Sequence, residues 1–380
     1  MKVQQKEEFV LRPTHIEVDP TALKANFEVI RRRVAPAKVM ATVKANGYGH
    51  GLVAVSRTFQ GAGVDSLGVA YIEEAIELRQ SGITLPILVF GGLLEEQVDL
   101  YIQYDIDVTA ASVFKLEQID ASARKLGKRA RVHLKIDTGL ERLGVHYYSS
   151  QSLFDAALNA HSSDVVGVFS HFADVNPADL SLASLQLERF LECLRYFEQR
   201  ATRPFARHIA NSAAVCAFPD SYLDMVRPGL SLYGVYAHPD MRGMISLCPS
   251  LALKSKVVFF KVVKQGAGVS YGHAWKASRD TRVITIPIGY GDGYPRALSN
   301  KGVVLVRGKR YPIIGKICMD QIMVDISPTG EAYNGEEVVL IGKQGEESVT
   351  VEDLAHLMDT TPHEILVSLN QRIPRVIVGA

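Results

Sequence analysis

The sequence predicts an α/β fold: a (β/α)8 barrel over residues 14–243, followed by a mostly β C-terminal domain over residues 244–380. Three observations lead to it. Eight short apolar runs recur between residues 39 and 235, with helical stretches between them. The runs are continuous rather than alternating, as strands buried on both faces should be. Beyond residue 250, strand patterns follow one another through tight glycine-bearing turns instead of long helices.

The first helix follows from "DPTALKANFEVIRRRV", where Asp19 and Pro20 sit at the N-cap and in the first turn. Leu23, Phe27, Ile30 and Val34 then fall on one face. The apolar runs are "VMATVKA" (39–45), "DSLGVA" (65–70), "LPILVFG" (85–91), "DIDVTA" (105–110), "ARVHLKID" (130–137), "VVGVFSH" (165–171), "RHIANS" (207–212) and "VRPGLSLYGV" (226–235). Ahead of the seventh, "SLQLERFLECLRYFEQR" carries a helical stripe of Leu187, Phe190, Leu191, Leu194 and Phe197. Eight strands alternating with helices fit a closed barrel; an open doubly wound sheet is the alternative, and the lack of a GxGxxG turn weighs against it. The polar stretch "AHPDMRGMISLCPS" (237–250) reads as a domain link. After it come the strands "SKVVFFKVV", "RVITIPIGYG", "KGVVLVRGKRYPIIG", "QIMVDIS" and "EEVVLIG", one helical segment, "TVEDLAHLMDTTPHEILVSL", and a last strand, "RIPRVIVG". Residues 1–13 are a candidate additional strand of this domain.

A chain of 380 residues with 47% hydrophobic and 22% charged content has the make-up of an ordinary globular protein. Its net charge of +1 offers no strong field to nucleic acid or an acidic membrane. The start, "MKVQQKEEFVLR", lacks the apolar core of a secretory signal, and "LPILVFGGLL" (85–94) is too short to cross a bilayer. Cys193, Cys216, Cys248 and Cys318 stand far apart, which suggests neither a zinc site nor a disulfide framework. These features predict a cytoplasmic protein.

On a barrel the strand C-termini form the active face. Lys44 lies there after the first strand, Lys135 and Asp137 after the fifth, His171 after the sixth, and Asn211 and Ser212 after the seventh, each at the end of its quoted segment; Arg227 and Gly229 lie in the eighth strand segment. A strand-end lysine is either a solvated side chain whose stem crosses apolar surface, or an amine held for chemistry. For the second role the amine must lose its proton, which a crowded, partly desolvated rim favours. "GYGHG" is no phosphate P-loop, because no GK[ST] follows; its glycines suit a backbone turning close beside a bound group. Tyr48 either offers a hydroxyl to a phosphate there or packs over the turn. "NSAAV" (211–215) and "RPGL" (227–230) read as turns or as a phosphate cradle, with Ser212 ahead of a helix N-terminus and Gly229 allowing close approach.

Taken together, "VKANGYGHG", "KIDTGLERLGV", "FSHF", "HIANS", "VRPGLSLYG", "VSYGHAW", "IGYGDGYPR" and "GKICMDQIMVD" resemble, in order from residue 41 to 325, the signature segments of alanine racemases. The resemblance implies a barrel holding pyridoxal 5'-phosphate (PLP), a C-terminal β-domain, and D-alanine supply for peptidoglycan. It implies that Lys44 forms the Schiff base with PLP and serves one face of the substrate carbon, while Tyr271 serves the other. A phenol is a poor base at neutral pH unless neighbours stabilise its phenolate. In the family His171 contacts this tyrosine, and Arg227 is bonded to the histidine and faces the pyridine nitrogen, where a fixed cation disfavours ring protonation and transamination. Arg142 is implied at the PLP phenolic oxygen and the substrate carboxylate. Lys135 matches a lysine often carbamylated in the family, a paired lysine being the alternative. Tyr48, Ser212, Gly229 and Leu230 map to the phosphate. Tyr290 maps to the entrance, and Met319 to a backbone N–H for the carboxylate. Tyr271, Tyr290 and Met319 would reach the active site of the other subunit of a homodimer, and Cys318 reads as filler.

The chain departs from the family near its end. A tyrosine usually precedes "R-[VI]-P-R", where "LNQRIPRV" has Gln371, or Asn370 in a shifted register. Losing that ring widens the prospect from alanine to serine or other small amino acids, since one small group in a pocket is worth only ~1–3 kcal/mol. Two other readings stand beside the racemase: a non-catalytic PLP-binding protein and a PLP decarboxylase. "VSYG" and "CMDQ" argue against the first, and the second lacks an acidic or cysteine donor in place of Tyr271.

Overall fold

The structure, a computed structural model, describes residues 12–379. Two compact units compose it: residues 22–248, and residues 249–379 together with residues 12–21. In the first unit each apolar run supplies one parallel strand: Lys38–Thr42, Ser66–Val69, Ile87–Val89, Val108–Ala110, Ala130–Asp137, Ser163–Phe169, Ala206–His208 and Met225–Val226. A four-stranded group holding the eighth, first, second and third strands, and a five-stranded group holding the fourth to seventh with the short strand Val145–His146 at its side, make up the wall. A parallel bridge between Leu88 and Asp107 joins them on one side. On the other, Asp224 N–H donates to Arg207 O at 3.1 Å and Arg227 N–H to Ala210 O at 2.9 Å, closing the (β/α)8 barrel. Residues such as Val39, Leu67 and Leu88 are fully buried, which is why their strands read as unbroken apolar runs, whereas the fifth strand alternates because it buries His133, Lys135 and Asp137.

The eighth strand is shorter than "VRPGLSLYGV" suggests. It ends at Val226; Pro228, with no N–H to give, and Gly229 break it, and Leu230–Tyr233 form a 3-10 turn. Arg227 and Gly229 therefore stand beyond the strand. In helix Pro20–Val34 the expected face of Leu23, Phe27, Ile30 and Val34 is buried. In helix Ser181–Glu198, Leu187, Phe190, Leu194 and Phe197 are buried but Leu191 is exposed. The inward face of that helix is centred on Phe190 with Ala183, Gln186 and Cys193, and at 100° per residue Leu191 falls beyond its edge.

The second unit is built on a ten-stranded sheet. Its order along the main path is Phe259–Val263, Thr281–Ile286, Ile322–Asp325, Lys309–Ile314, Val303–Val306, Glu337–Gln344, Leu251–Lys256, His15–Val18 and Arg375–Ile377. A boundary at residue 14 would put His15–Val18 in the barrel. It lies instead between two strands of this sheet, antiparallel to Leu251–Lys256 and parallel to Arg375–Ile377. The candidate strand at 1–13 falls on residues of which 1–11 lie outside the described ones. The expected single C-terminal helix is two, Val351–Met358 and Pro362–Ser368, broken where Asp359 turns left-handed (φ 54°) ahead of Pro362. Among the described residues, no helix is long and apolar enough to cross a membrane.

Phe190 is fully buried within the barrel unit. Phe190→Ala is expected to lower the unfolding free energy by about 3–5 kcal/mol, measured by urea denaturation.

Candidate active site

Lys44 follows the first barrel strand and opens a turn that proceeds left-handed: Ala45, Asn46, Gly47 and Tyr48 have φ of 53°, 55°, 59° and 51°. Outside glycine such a conformation costs roughly 1–2 kcal/mol per residue, so the turn needs outside support. Glu74 supplies it, one carboxylate oxygen accepting from Ala45 N–H at 2.6 Å and the other from Ala70 N–H at 2.8 Å. Asn46 adds a second clamp, accepting from Leu52 N–H on its side chain (2.9 Å) and from Gly51 N–H on its backbone (2.8 Å). The result is a half-buried Lys44 on a braced backbone. Burial first, and the Arg142 guanidinium second, lower its amine from the ordinary 10.5, with Glu74 opposing them.

A second cluster lies at the ends of the seventh and eighth strands. Asn211 caps the short helix Ser212–Ala217 by accepting from Ala214 N–H at 3.0 Å. Around Ser212 Oγ gather Gly229 N–H at 2.7 Å, Ser231 N–H at 3.3 Å and Ser231 Oγ at 3.1 Å. The Tyr48 hydroxyl comes so close to Gly229 that a Cβ there would overlap it. Tyr48 is itself buried and stacks on Tyr233 with centroids 4.8 Å apart. Leu230, also buried, opens the 3-10 turn that carries Ser231. Hydroxyls and amides converging beside a glycine form the donor set a phosphate requires.

Between these clusters stands Arg227, almost fully buried. Its Nη2 donates to Ser170 O at 2.7 Å, Ile209 O at 3.2 Å and His171 Nδ1 at 3.1 Å, and its Nη1 to His208 Nδ1 at 2.9 Å. Burial pushes its pKa down to about 9. Burial, then Arg227, Lys135, Arg142 and Lys44, holds His171 well below its ordinary 6.5. Lys135 is buried, donates to Ile136 O at 2.9 Å and is pushed down to about 7 by burial, with Arg227 adding to the effect. Asp137 accepts from the N–H groups of Gly139, Leu140 and Arg142 at 2.8, 3.0 and 3.1 Å, shaping the loop on which Arg142 is exposed. The barrel thus gathers Lys44, Arg142, Lys135 and Arg227 around His171, whose pKa all four help to lower, beside the donor cluster of Tyr48, Ser212, Gly229 and Leu230.

The remaining candidates belong to the second unit, where the structure also brings them together. Tyr271, Tyr290 and Met319 are 69%, 43% and 53% exposed. Tyr290 N–H donates to Cys318 O at 3.0 Å and Gly291 N–H to Met319 O at 2.8 Å, tying two of the loops. Ser270 Oγ donates to Lys316 O at 2.7 Å, tying the third. The Tyr290 turn is pinned from below by fully buried Asp292, which accepts both ends of the Arg12 fork at 2.7 and 2.6 Å. Asn370 donates to Gly291 O at 2.9 Å, which sets the neighbouring, exposed Gln371 by the Tyr290 turn.

The chain is similar along nearly its whole length to proteins of one kind. The family models for the alanine racemase N-terminal and C-terminal domains match residues 18–237 and 250–377. The chain belongs to the alanine racemase family. Alanine racemase 2 of Caldanaerobacter subterraneus subsp. tengcongensis is 39% identical, over 97% of this chain and 95% of that one. The crystal structure of alanine racemase from the D-cycloserine-producing Streptomyces lavendulae has a TM-score of 0.93 and 38% identity, covering 97% of this chain and 98% of that one. A histidine racemase from Leuconostoc mesenteroides subsp. sake also superimposes, with a TM-score of 0.87 and 28% identity, over 97% of this chain and 99% of that one.

Some residues that shape this racemase's site escape a reading of the sequence. Glu74 looks like a first-turn acid of helix Ile72–Gln80, though its place just past the second strand set it on the active rim. His208 stands in the quoted "RHIANS", yet nothing local marks it as the ligand of a distant arginine. Asp292 reads as a turn residue of "GYGDG".

His171 and His208 are both held below 6.5 by burial and by Arg227. Below that pH the unfolded chain takes up protons that the folded chain refuses, so acid destabilises the fold. Urea unfolding is expected to show a fall from about pH 7.5 to about pH 5.5, each histidine contributing up to about 1.4 kcal/mol per pH unit below 6.5. His171→Gln should make the fall shallower.

Proposed function

We propose that this racemase interconverts L- and D-alanine using PLP held at the barrel rim, with Lys44 Nζ and the Tyr271 hydroxyl handling protons on opposite faces of the substrate carbon. The observation that carries the reading is the half-buried Lys44 amine, its pKa lowered by burial, on the same rim as the Ser212–Gly229–Ser231 donor cluster. That cluster fits the phosphate of PLP by its chemistry, and the missing Cβ of Gly229 leaves the space the Tyr48 hydroxyl uses. When bound, PLP draws off the electrons released as the Cα–H bond breaks.

Tyr48, Ser212, Gly229 and Leu230 would hold the phosphate, the last two through backbone N–H groups. Lys44 would bond the aldehyde carbon and, once displaced by the substrate amine, take or return the proton at Cα from its own face. Arg227 presents a fixed cation for the pyridine nitrogen and cannot release its proton at neutral pH even with its pKa at about 9. The Arg142 guanidinium suits the PLP phenolic oxygen and the substrate carboxylate, which Met319 N–H would also bind. With a pKa of about 7, Lys135 spends much of its time as the free amine that reacts with carbon dioxide, so carbamylation there would replace a buried cation with an anion for Arg142. Tyr271, Tyr290 and Met319, exposed together, suit presentation to a second copy's barrel in a homodimer, with His171 bonding the tyrosine hydroxyl and Tyr290 narrowing the entrance. In the cell we assign the enzyme to the cytoplasm and to D-alanine supply for peptidoglycan.

Gln371, exposed on the rim where the family's tyrosine is expected, favours a second reading with a broader substrate range, serine included. A structure named a histidine racemase, similar along nearly the whole chain, supports that broader range.

Deuterium uptake at Cα of L-alanine and L-serine in heavy water, followed in parallel, tests both readings. Alanine is expected to exchange and to yield both enantiomers; exchange of serine alone would favour the second. Lys44→Ala should abolish the reaction. Tyr271→Phe should cut racemisation by about 10²–10⁴-fold, whereas an unchanged rate would remove Tyr271 from the mechanism. A slowly exchanging carbamate signal under 13C-bicarbonate, absent in Lys135→Ala, is expected by NMR.

A further inference from the structure

Behind Arg227 a line of polar side chains runs through the apolar barrel interior. Arg227 Nη1 meets His208 Nδ1 at 2.9 Å, His208 Nε2 meets His133 Nδ1 at 2.9 Å, and His133 Nε2 meets Asp107 Oδ2 at 3.4 Å. Arg131 closes the line on Asp107 with bonds of 2.6 and 3.2 Å. His133, His208 and Asp107 are all buried. The histidine rings are individually fitted. His208 lies flat on Phe169, 3° from coplanar at 5.1 Å, and His133 lies over Gly167, where a Cβ would overlap its Nδ1 and Cε1.

The hydrogen-bond chemistry allows one arrangement of protons. A guanidinium only donates, so His208 Nδ1 accepts and its proton sits on Nε2. That N–H faces His133 Nδ1, which must accept in turn, leaving the His133 proton on Nε2. The last N–H ends on the Asp107 carboxylate, which has no proton to offer and is itself gripped by Arg131. Every donor then has an acceptor, and reversing any ring would set two N–H groups against each other at a buried contact.

We infer that Asp107 and His133 are positioning residues for the racemase reaction: acting through His208, they fix which ring nitrogen meets Arg227 and so hold the guanidinium in its orientation at the rim. The inference rests on the reading that Arg227 faces the cofactor. Removing the carboxylate leaves the His133 Nε2 proton without an acceptor. If that proton moves to Nδ1, His208 must carry its own on Nδ1, and Arg227 loses that acceptor.

Neutron diffraction from deuterium-exchanged crystals of the purified holoenzyme tests the arrangement directly. Deuterons are expected on Nε2 of His208 and His133, with both Nδ1 atoms bare. A deuteron on Nδ1 of His208 overturns the proposal with no variant needed. Asp107→Leu, close in shape but unable to accept, is expected to lower kcat by up to about 10²-fold with a smaller change in KM, and to move deuterium density to Nδ1 of His208. Gly167→Ala, which crowds the His133 ring, should lower kcat in the same way with the carboxylate intact. Folded Asp107→Leu with unchanged kcat and the same deuteron positions would refute the role. A wild-type protein that binds no PLP would instead overturn the functional reading, while the deuteron positions would still decide the order of the chain.

Discussion

A guanidinium cannot be buried without acceptors, and in this barrel Arg227 is almost wholly buried. Two backbone carbonyls and two imidazole nitrogens surround it at 2.7–3.2 Å. Meeting that need shapes much of the rim. It places the carbonyls of Ser170 and Ile209, just past the sixth and seventh strands, toward one point. It also keeps His171 and His208 neutral, because an imidazolium would set its own proton against the guanidinium. A fixed, well-accommodated cation in a low-dielectric interior then acts on its neighbours: Lys135 feels it and is pushed further toward the free amine.

Strain is the other organising feature. Four consecutive left-handed residues directly after Lys44 are costly by themselves, and only Gly47 adopts the conformation without steric penalty. The Glu74 carboxylate and the Asn46 clamp offset that cost with bonds to backbone N–H groups. The turn brings Lys44 and the buried Tyr48 into the same few residues, so one braced loop carries both the half-buried amine and a member of the donor cluster. Strain concentrated where chemistry is done, and over-determined by its surroundings, is a recurring property of active sites.

The order of the barrel was legible because strands buried on both faces leave uninterrupted apolar runs such as "LPILVFG"; "ARVHLKID" alternates instead, because the barrel buries the polar His133, Lys135 and Asp137 along with its apolar residues. The eighth segment was overread because "LSLYGV" is as apolar as a strand; Pro228 and Gly229 had already decided against one. His15–Val18 carried no mark of its destination, since which sheet a short strand joins is set by pairing with Leu251–Lys256 and Arg375–Ile377, far along the chain. Among the site residues, Lys44 and Ser212 stood out by their place after strands, and Arg227 by its place in the eighth apolar run. Glu74, His133 and Asp107 did not, for their partners lie tens of residues away and their local surroundings are those of an ordinary helix turn or strand.

The proposed chemistry turns on Lys44 as the residue that joins the cofactor. The most direct measurement is borohydride reduction of the purified protein, followed by proteolysis and mass spectrometry of the labelled peptide. A pyridoxyl group on Lys44 within "VKANGYGHG" is the result the account requires. A label on another lysine, or none on a protein that still racemises alanine, would contradict it.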